Sequence, residues 1–295
     1  MIAQRSPIPG GRWHFQHGPI DIVIGADGDE QAVAAAHEAA WQRFAGVLPE
    51  LVSELPTLRR PVQGPCPLLG VVARRMWWAC RPYHAGFITP MAAVAGAVAQ
   101  ELIGCYQRDG VARAWVNNGG DIALHLADGE SLRVGLFADL ADFDGAALRR
   151  TIAGSLRTDA DFSVHAALPV RGVATSGWRG RSFSLGIADS VTVLARHAAQ
   201  ADAAATVIAN AVNVDDARIV RRPARDLKDD SDLGDIEVTV DVPALPAELV
   251  QLALRRGEQR ARELQAAGLI WSALLVCQRE HAAVVADEAV GSVFA

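Results

Sequence analysis

Three short segments hold most of the residues whose types and spacing suit chemistry. The first, VNNGGDI (Val116–Ile122), sets Asn117, Asn118, Gly119, Gly120 and Asp121 between two strand-like runs. Glycines permit positive φ and leave backbone N–H groups unshielded, and an aspartate accepts from a ribose hydroxyl or an amide. The segment therefore suits the floor of a ligand cleft. It also suits a plain type I′ hairpin turn, for which Asn-Gly is a preferred dipeptide.

The second, TSGWRGRS (Thr175–Ser182), offers hydroxyls at Thr175 and Ser176, small residues at Gly177 and Gly180, an indole at Trp178, and guanidinium groups at Arg179 and Arg181. Forked guanidinium donors match phosphate, and an indole stacks on a flat ring. Trp and Arg serve equally as amphipathic cover for a sheet. The third, ADAAATVIAN, spaces Asp202 and Thr206 four apart, one turn above each other on one helix face. A carboxylate and a hydroxyl so placed are two oxygen ligands for a hard cation such as Mg²⁺, with phosphates and water completing the shell. The alternative is an aspartate favoured by the helix dipole and a threonine bonded back to a carbonyl.

Other chemistries are poorly supported. The eight histidines show no H-x-x-x-H or H-E-x-x-H spacing, and Ser184 lacks a G-x-S-x-G context. Lys228, the one lysine, lies in the polar run RDLKDDSDLGD, which argues against Schiff-base catalysis. No G-x-G-x-x-G joins a strand to a helix, so a Rossmann fold is not expected. Cys66, Cys80, Cys105 and Cys277 form no C-x-x-C pair and read as free thiols; Cys66, between two prolines, is the one to test for reactivity. With a net charge of −6 and mixed acids and bases, a nucleic-acid surface has no support. No apolar run reaches the ~20 residues that span a bilayer, and MIAQRSPIPGG does not resemble a secretory signal, so a cytoplasmic protein is expected.

The elements that must position these residues alternate in type. Residues 12–24 read as two strands, and Asp29 caps a helix running from about Glu30 to Leu55. PTLRRPVQGPCPLLG reads as a loop. Thr89 and Pro90 in FITPM announce a helix of small residues, MAAVAGAVAQELIGCY. Residues 112–135 read as a three-stranded meander, and residues 144–152 as a short helix. The run 171–195 reads as three strand-like pieces, and AQADAAATVIANAV as a helix. A strand IEVTVDV, a helix of about twenty residues from Pro246 and a strand LIWSALLVC follow. Strands joined by tight turns with helices between them predict an α+β fold with antiparallel sheets.

In their order these segments resemble the ApbE-like superfamily, whose best-known members are FAD:protein FMN transferases. There a small-residue helix leads to V-N-x-G-G-D-I, then T-S-G, S-V-T-V, and A-D-A-x-x-T at a helix start. Val116–Ile122, Thr175–Gly177, Ser190–Val193 and Ala201–Thr206 match those pieces. FITPMAAVAGAVA, ATSGWRGRSFSLGIADSVTV and ADAAATVIANAV resemble more closely a compact branch, some of whose members have been associated with sulfide assimilation into homocysteine. The resemblance implies an ApbE-like α/β roll, and the chain length suits either one domain over 1–295 or two intimately packed lobes of about 1–85 and 86–280. The resemblance also implies a cleft for FAD or another nucleotide, lined by Thr89, the Asn117–Asp121 loop, Thr175, Ser176, Gly177, Arg179 and Arg181. Asp202 and Thr206 take the metal-ligand roles, with Mg²⁺ as the expected ion.

Two departures matter. Ala95-Gly96 stands where the transferases carry Lys-Gly, and WRGRSFSLGIAD replaces their His-Ile-x-Asp-Pro-x-x-Gly hairpin. The transferase needs Mg²⁺ to polarise a pyrophosphate and a base to activate a threonine hydroxyl. The expectation is therefore a protein that binds a nucleotide-like or phosphorylated small molecule, with chemistry other than flavin transfer and a link to sulfur assimilation. The alternatives are an active Mg-dependent FMN transferase and a non-catalytic accessory subunit, with a homodimer or a partner enzyme left open.

Overall fold

The computed structural model describes residues 2–136 and 160–286, and the helix expected at 144–152 lies outside them. The main sheet starts with β1 (Gln4–Ile8), β2 (Arg12–His17), β3 (Ile20–Gly28), β4 (Val111–Asn118) and β5 (Asp121–Leu126). Two further strands, β6 (Ser131–Leu136) and β7 (Ala160–His165), form a separate hairpin. The sheet continues through β8 (Gly172–Ser176) and β9 (Ser190–Ala195), while β10 (Val220–Pro223) and β11 (Glu237–Asp241) pair apart from it. It closes with β12 (Ser272–Cys277) and β13 (Glu280–Val284), giving the order β1-β2-β3-β4-β5-β8-β9-β12-β13. Every pairing in it is antiparallel, as expected, and strands from before and after residue 85 lie side by side.

The strands form where β-branched residues are buried on both faces: all six residues of β9, SVTVLA, are buried. Helices α1 (Glu30–Ser53), α2 (Leu55–Leu58), α3 (Val71–Cys80), α4 (Val94–Ile103), α5 (Ala198–Ala211) and α6 (Ala247–Ala266) enclose the larger core with the sheet. The β6–β7 hairpin covers a smaller core containing Leu124, Phe162, Val173 and Leu194. Asp29 caps α1 as expected, accepting from the N–H groups of Gln31 (3.1 Å) and Ala32 (2.9 Å).

Small residues serve close packing. Seven alanines of α5 are buried, and a Cβ added to Gly96 of α4 would lie 2.4 Å from the Ala198 carbonyl oxygen. Only glycine lets the two helices approach so closely, and this crossing brings Asp202 to the start of α4.

Several expectations are corrected. The meander does not form, because β5 pairs with β8 while β6 pairs with β7. The middle piece of 171–195 is no strand: Asn210 Oδ1 accepts from Leu185 N (2.9 Å), so a helix side chain takes the place of a sheet partner. Thr89 sits at the cap position of a 3-10 turn, Pro90–Ala93, but its hydroxyl makes no cap and donates to Asp232 Oδ2 at 2.5 Å. Strands β1 and β13 and helix α3 had no counterpart in the sequence reading.

Candidate functional site

The β4–β5 turn is the two-residue loop that its sequence suggests. Gly119 (φ +67°) and Gly120 (φ +113°) both take the left-handed region, between the paired Asn118 and Asp121. Asn117 Oδ1 accepts from Gly120 N (2.8 Å), which fixes the turn, and Asn118 Nδ2 donates to the Ala95 carbonyl (3.1 Å), which ties it to α4. The turn thereby aims Asp121 inward, where it is 9% exposed.

Asp121 Oδ1 accepts from Thr175 N (3.2 Å), so the first and second candidate segments meet through this carboxylate. Thr175 Oγ1 lies 2.9 Å from Thr192 Oγ1 of β9. The third segment arrives from the other side. Asp202 Oδ2 accepts from Gly96 N (2.8 Å), and the Ala95 amide also stabilises its charge. A carboxylate from α5 thus sits at the first turn of α4, where unsatisfied N–H groups favour an anion.

The electrostatics of the two acids are linked. Burial raises Asp121 to about 7, opposed by the Thr175 amide and the Arg181 charge. Burial also raises Asp202 well above the ordinary carboxylate range, and the neighbouring Asp121 charge adds to this against the Gly96 and Ala95 amides. Two acids that disfavour each other's ionisation share a proton or hold a cation. Neither forms an ion pair with a basic side chain among the described residues.

The donor set fits a hard cation: two carboxylates and, one helical turn from Asp202, the half-buried Thr206 hydroxyl. Among the described residues no three His, Cys, Asp or Glu side chains converge. Phosphate oxygens, backbone carbonyls or water would supply the rest of the shell.

The remaining candidates form a rim. Arg181 is exposed, and its guanidinium lies so close over Gly119 that an added Cβ would stand 1.8 Å from Nη2. Arg179 is exposed and stacks over the Trp178 ring at 4.8 Å. Ser176 is half-buried at the end of β8. A Cβ at Gly177 would lie 2.3 Å from the Asp189 carbonyl oxygen, so this glycine serves a tight return of the chain.

Two residues escaped the sequence reading. Asp189, 9% exposed, accepts from Trp178 Nε1 (3.2 Å) and Gln278 N (2.5 Å), locking the TSGW turn to the end of β12. Its placement directly before the buried run SVTV was the available signal. Cys80 of α3 is fully buried with its thiol against the Pro90 carbonyl; burial first and the Asp202 charge second push it up. No sequence pattern pointed to it. Cys66 is half-buried, and all four cysteines are free, as expected.

Two open cavities lie elsewhere. One of about 540 Å³ borders Arg196 and Trp271, and one of about 500 Å³ borders Trp13 and His37. Neither cavity is lined by Asp121, Asp202 or Thr206.

A family model described as AbpE bacteria matches residues 5–286. A UPF0280 protein of Methanopyrus kandleri is 33% identical over 215 residues, which cover 71% of this chain and 78% of that protein. UPF0280 proteins of Methanothrix thermoacetophila and Methanospirillum hungatei are 38% and 36% identical over 49% and 44% of this chain. Those matches span 53% and 47% of the two relatives, about half of their length. Among solved structures, the apo flavinyl transferase ApbE of Pseudomonas stutzeri aligns over 97% of this chain and 94% of its own, at 13% identity and a TM-score of 0.41. The flavin transferase ApbE from Vibrio cholerae aligns over 99% of both chains at 11% identity and a TM-score of 0.39.

Proposed function

The chain belongs to the AbpE bacteria family and, with the UPF0280 proteins, to the ApbE-like superfamily, and we propose that its Asp121–Asp202 pair holds Mg²⁺ beneath a phosphorylated, nucleotide-like ligand. The observation that carries this reading is the meeting of the buried Asp121 carboxylate with the half-buried Asp202 from a distant segment, with no basic side chain among the described residues in an ion pair with either. Asp202, Thr206 and Asp121 bind the ion. Arg181, exposed over the glycine turn, and the exposed Arg179 beside Trp178 face the phosphates, and Thr175 and Ser176 offer hydroxyls at the ligand's edge. FAD is the first ligand to test.

Bound Mg²⁺ supplies charge neutralisation for the phosphates. Transfer chemistry needs in addition a base beside the ligand, and the stretch between Gly177 and Ser190 contains no His, Glu or Lys. Its single carboxylate, Asp189, is engaged by Trp178 and Gln278. The reading is therefore ligand binding without protein flavinylation. A cytoplasmic location and a role in sulfur assimilation belong to the same reading; four free thiols support the first, and the sequence resemblance alone supports the second.

Titration calorimetry with FAD in the presence and absence of Mg²⁺ tests it. Saturable, Mg²⁺-dependent binding that Asp202→Ala removes is the expected result. Covalent FMN on an acceptor peptide incubated with the protein, FAD and Mg²⁺ would overturn the non-transfer reading. No binding of FAD, FMN or Mg²⁺ would overturn the ligand reading and favour an accessory subunit.

A further inference from the structure

We propose that the loop joining β10 to β11 is an acidic strap across the Asp121–Asp202 site, fastened by Asp232 on Thr89, and that a ligand's phosphate opens it by taking Thr89 from Asp232. The proposal rests on the phosphorylated-ligand reading above and adds a gate to it.

The strap is fixed at one end of the site and reaches to the other. At its base, Thr239 N of β11 donates to the Ser184 carbonyl (2.8 Å), and Arg221 Nη2 of β10 donates to Asn213 Oδ1 (2.7 Å), just past the C-terminal end of α5. The pairing extends beyond the strands, with Ala224 N donating to the Ile236 carbonyl (3.0 Å) and Arg225 N to the Gly234 carbonyl (2.9 Å). At its tip, Thr89 Oγ1 donates to Asp232 Oδ2 (2.5 Å) and Arg59 Nη2 to Asp230 Oδ2 (2.7 Å). Thr89 opens the turn Pro90–Ala93, which runs straight into α4, where Gly96 N holds Asp202. The Pro90 carbonyl accepts from the Cys80 thiol, which burial and then the Asp202 charge push up, so Thr89 and Asp202 share one neighbourhood. The hairpin therefore runs from the C-terminal end of α5 toward the end that carries Asp202.

Base and tip are held differently. Ala224, Val238 and Thr239 are buried at the base, whereas no side chain from Arg225 to Asp235 is buried. The Arg59–Asp230 pair is open to water, with Asp230 60% exposed, and such pairs contribute little. The hydrogen bond from Thr89 is what remains to fasten the tip, and a segment held so lightly opens at small cost. Between Asp226 and Asp235 the strap carries five aspartates and one lysine. While fastened, it repels an incoming anion. Thr89 Oγ1 has one proton to donate, so a phosphate and Asp232 compete for it. Fastened strap and bound phosphate thus exclude each other, and removal of the fastening favours the ligand.

Lys228, the one lysine, lies in the strap, so a protease that cleaves after lysine has a single target and reports opening in the intact chain. Asp232→Ala should speed cleavage roughly ten-fold with the melting transition retained, and should tighten FAD binding with Mg²⁺ roughly five-fold. Saturating FAD with Mg²⁺ should speed cleavage of the unaltered protein, the reverse of the protection that a merely stabilising ligand gives, and should leave the Asp232→Ala rate unchanged. The FAD arm on the unaltered protein needs no variant and decides the matter if Asp232→Ala does not fold. Unchanged cleavage of folded Asp232→Ala, FAD binding no tighter than before, or FAD protecting Lys228 would each overturn the strap and leave the ligand reading standing. FAD binding to neither protein would overturn the ligand reading and the gate with it.

Discussion

Two acid clusters lie at opposite ends of α4, and burial acts on them in the same sense with opposite results. Glu101, near the C-terminal end, is shielded from water, which works against its charge. Hydrogen bonds of 2.7 Å from Arg43 Nε and from Arg75 Nη1 nonetheless hold it below the ordinary range. Asp121 and Asp202, at the N-terminal end, are also shielded, but only amides and the more distant Arg181 oppose the shift, and both acids are raised. The difference lies in who supplies the cation. The protein completes one cluster with its own arginines, and at the other the proposed Mg²⁺ would supply the positive charge.

The largest effect expected from breaking this contrast is on metal affinity. Asp202→Ala should weaken Mg²⁺ binding at least 100-fold, read by calorimetry. Its melting temperature should change by only a few degrees, because loss of the contact to α4 is offset by relief of the repulsion with Asp121. A collapse in stability would instead make Asp202 a structural cap. At the other cluster the signs reverse: Glu101→Gln should cost about 2–3 kcal/mol in urea unfolding, since Arg43 and Arg75 lose a shared partner, and should leave Mg²⁺ affinity unchanged.

A pH series sharpens the contrast further. The folded pKa of Asp121, about 7, lies above its ordinary value of 3.8, so the folded state binds more protons between these values. Metal-free stability should fall as pH rises from about 4 to about 7, and saturating Mg²⁺ should remove that fall. Glu101 behaves oppositely: its folded pKa is depressed below 4.5, so its contribution is fully present above that value and is lost only as pH falls through the folded pKa. Thermal melts at pH 5 and pH 8, with and without Mg²⁺, separate the two.

The smallest effect is expected at the turn. A Cβ at Gly120 meets no atom within 4 Å, so Gly120→Ala should cost only the strain of φ +113°, about 1 kcal/mol or a few degrees of melting temperature. A plain turn would show that loss alone. A ligand floor would add a fall in ligand affinity, because the new methyl group stands where the ligand approaches.

Much of the site was legible because its chemistry is local. Asn-Gly-Gly-Asp carries its own turn, and a four-residue spacing places Asp202 above Thr206 whatever surrounds the helix. The meeting of Asp121 with Asp202 was not legible from spacing, because it depends on how closely α4 and α5 cross at Gly96. Helix α3 was missed for a related reason. Its first turn is held by remote acids: Glu54 accepts from Leu69 N (2.8 Å) and Gly70 N (2.7 Å), and Glu50 from Val72 N (3.2 Å). Gly70 at the cap position supplies no side-chain signal of its own. Thr89 shows the converse, a cap residue by type whose hydroxyl is drawn away by Asp232. The β6–β7 pairing escaped because a long excursion separates the two strands in sequence.

The separation of the two acids along the chain also bears on the timing of folding. Asp121 belongs to a hairpin that closes locally, while Asp202 reaches it only when α5 docks against α4 at the Gly96 crossing. Their repulsion therefore cannot develop before α5 docks. A cation that joins them acts on a contact made only by that docking; if docking follows the rate-limiting step, Mg²⁺ should slow unfolding far more than it speeds folding. For this molecule the ion would be a latch rather than a nucleus.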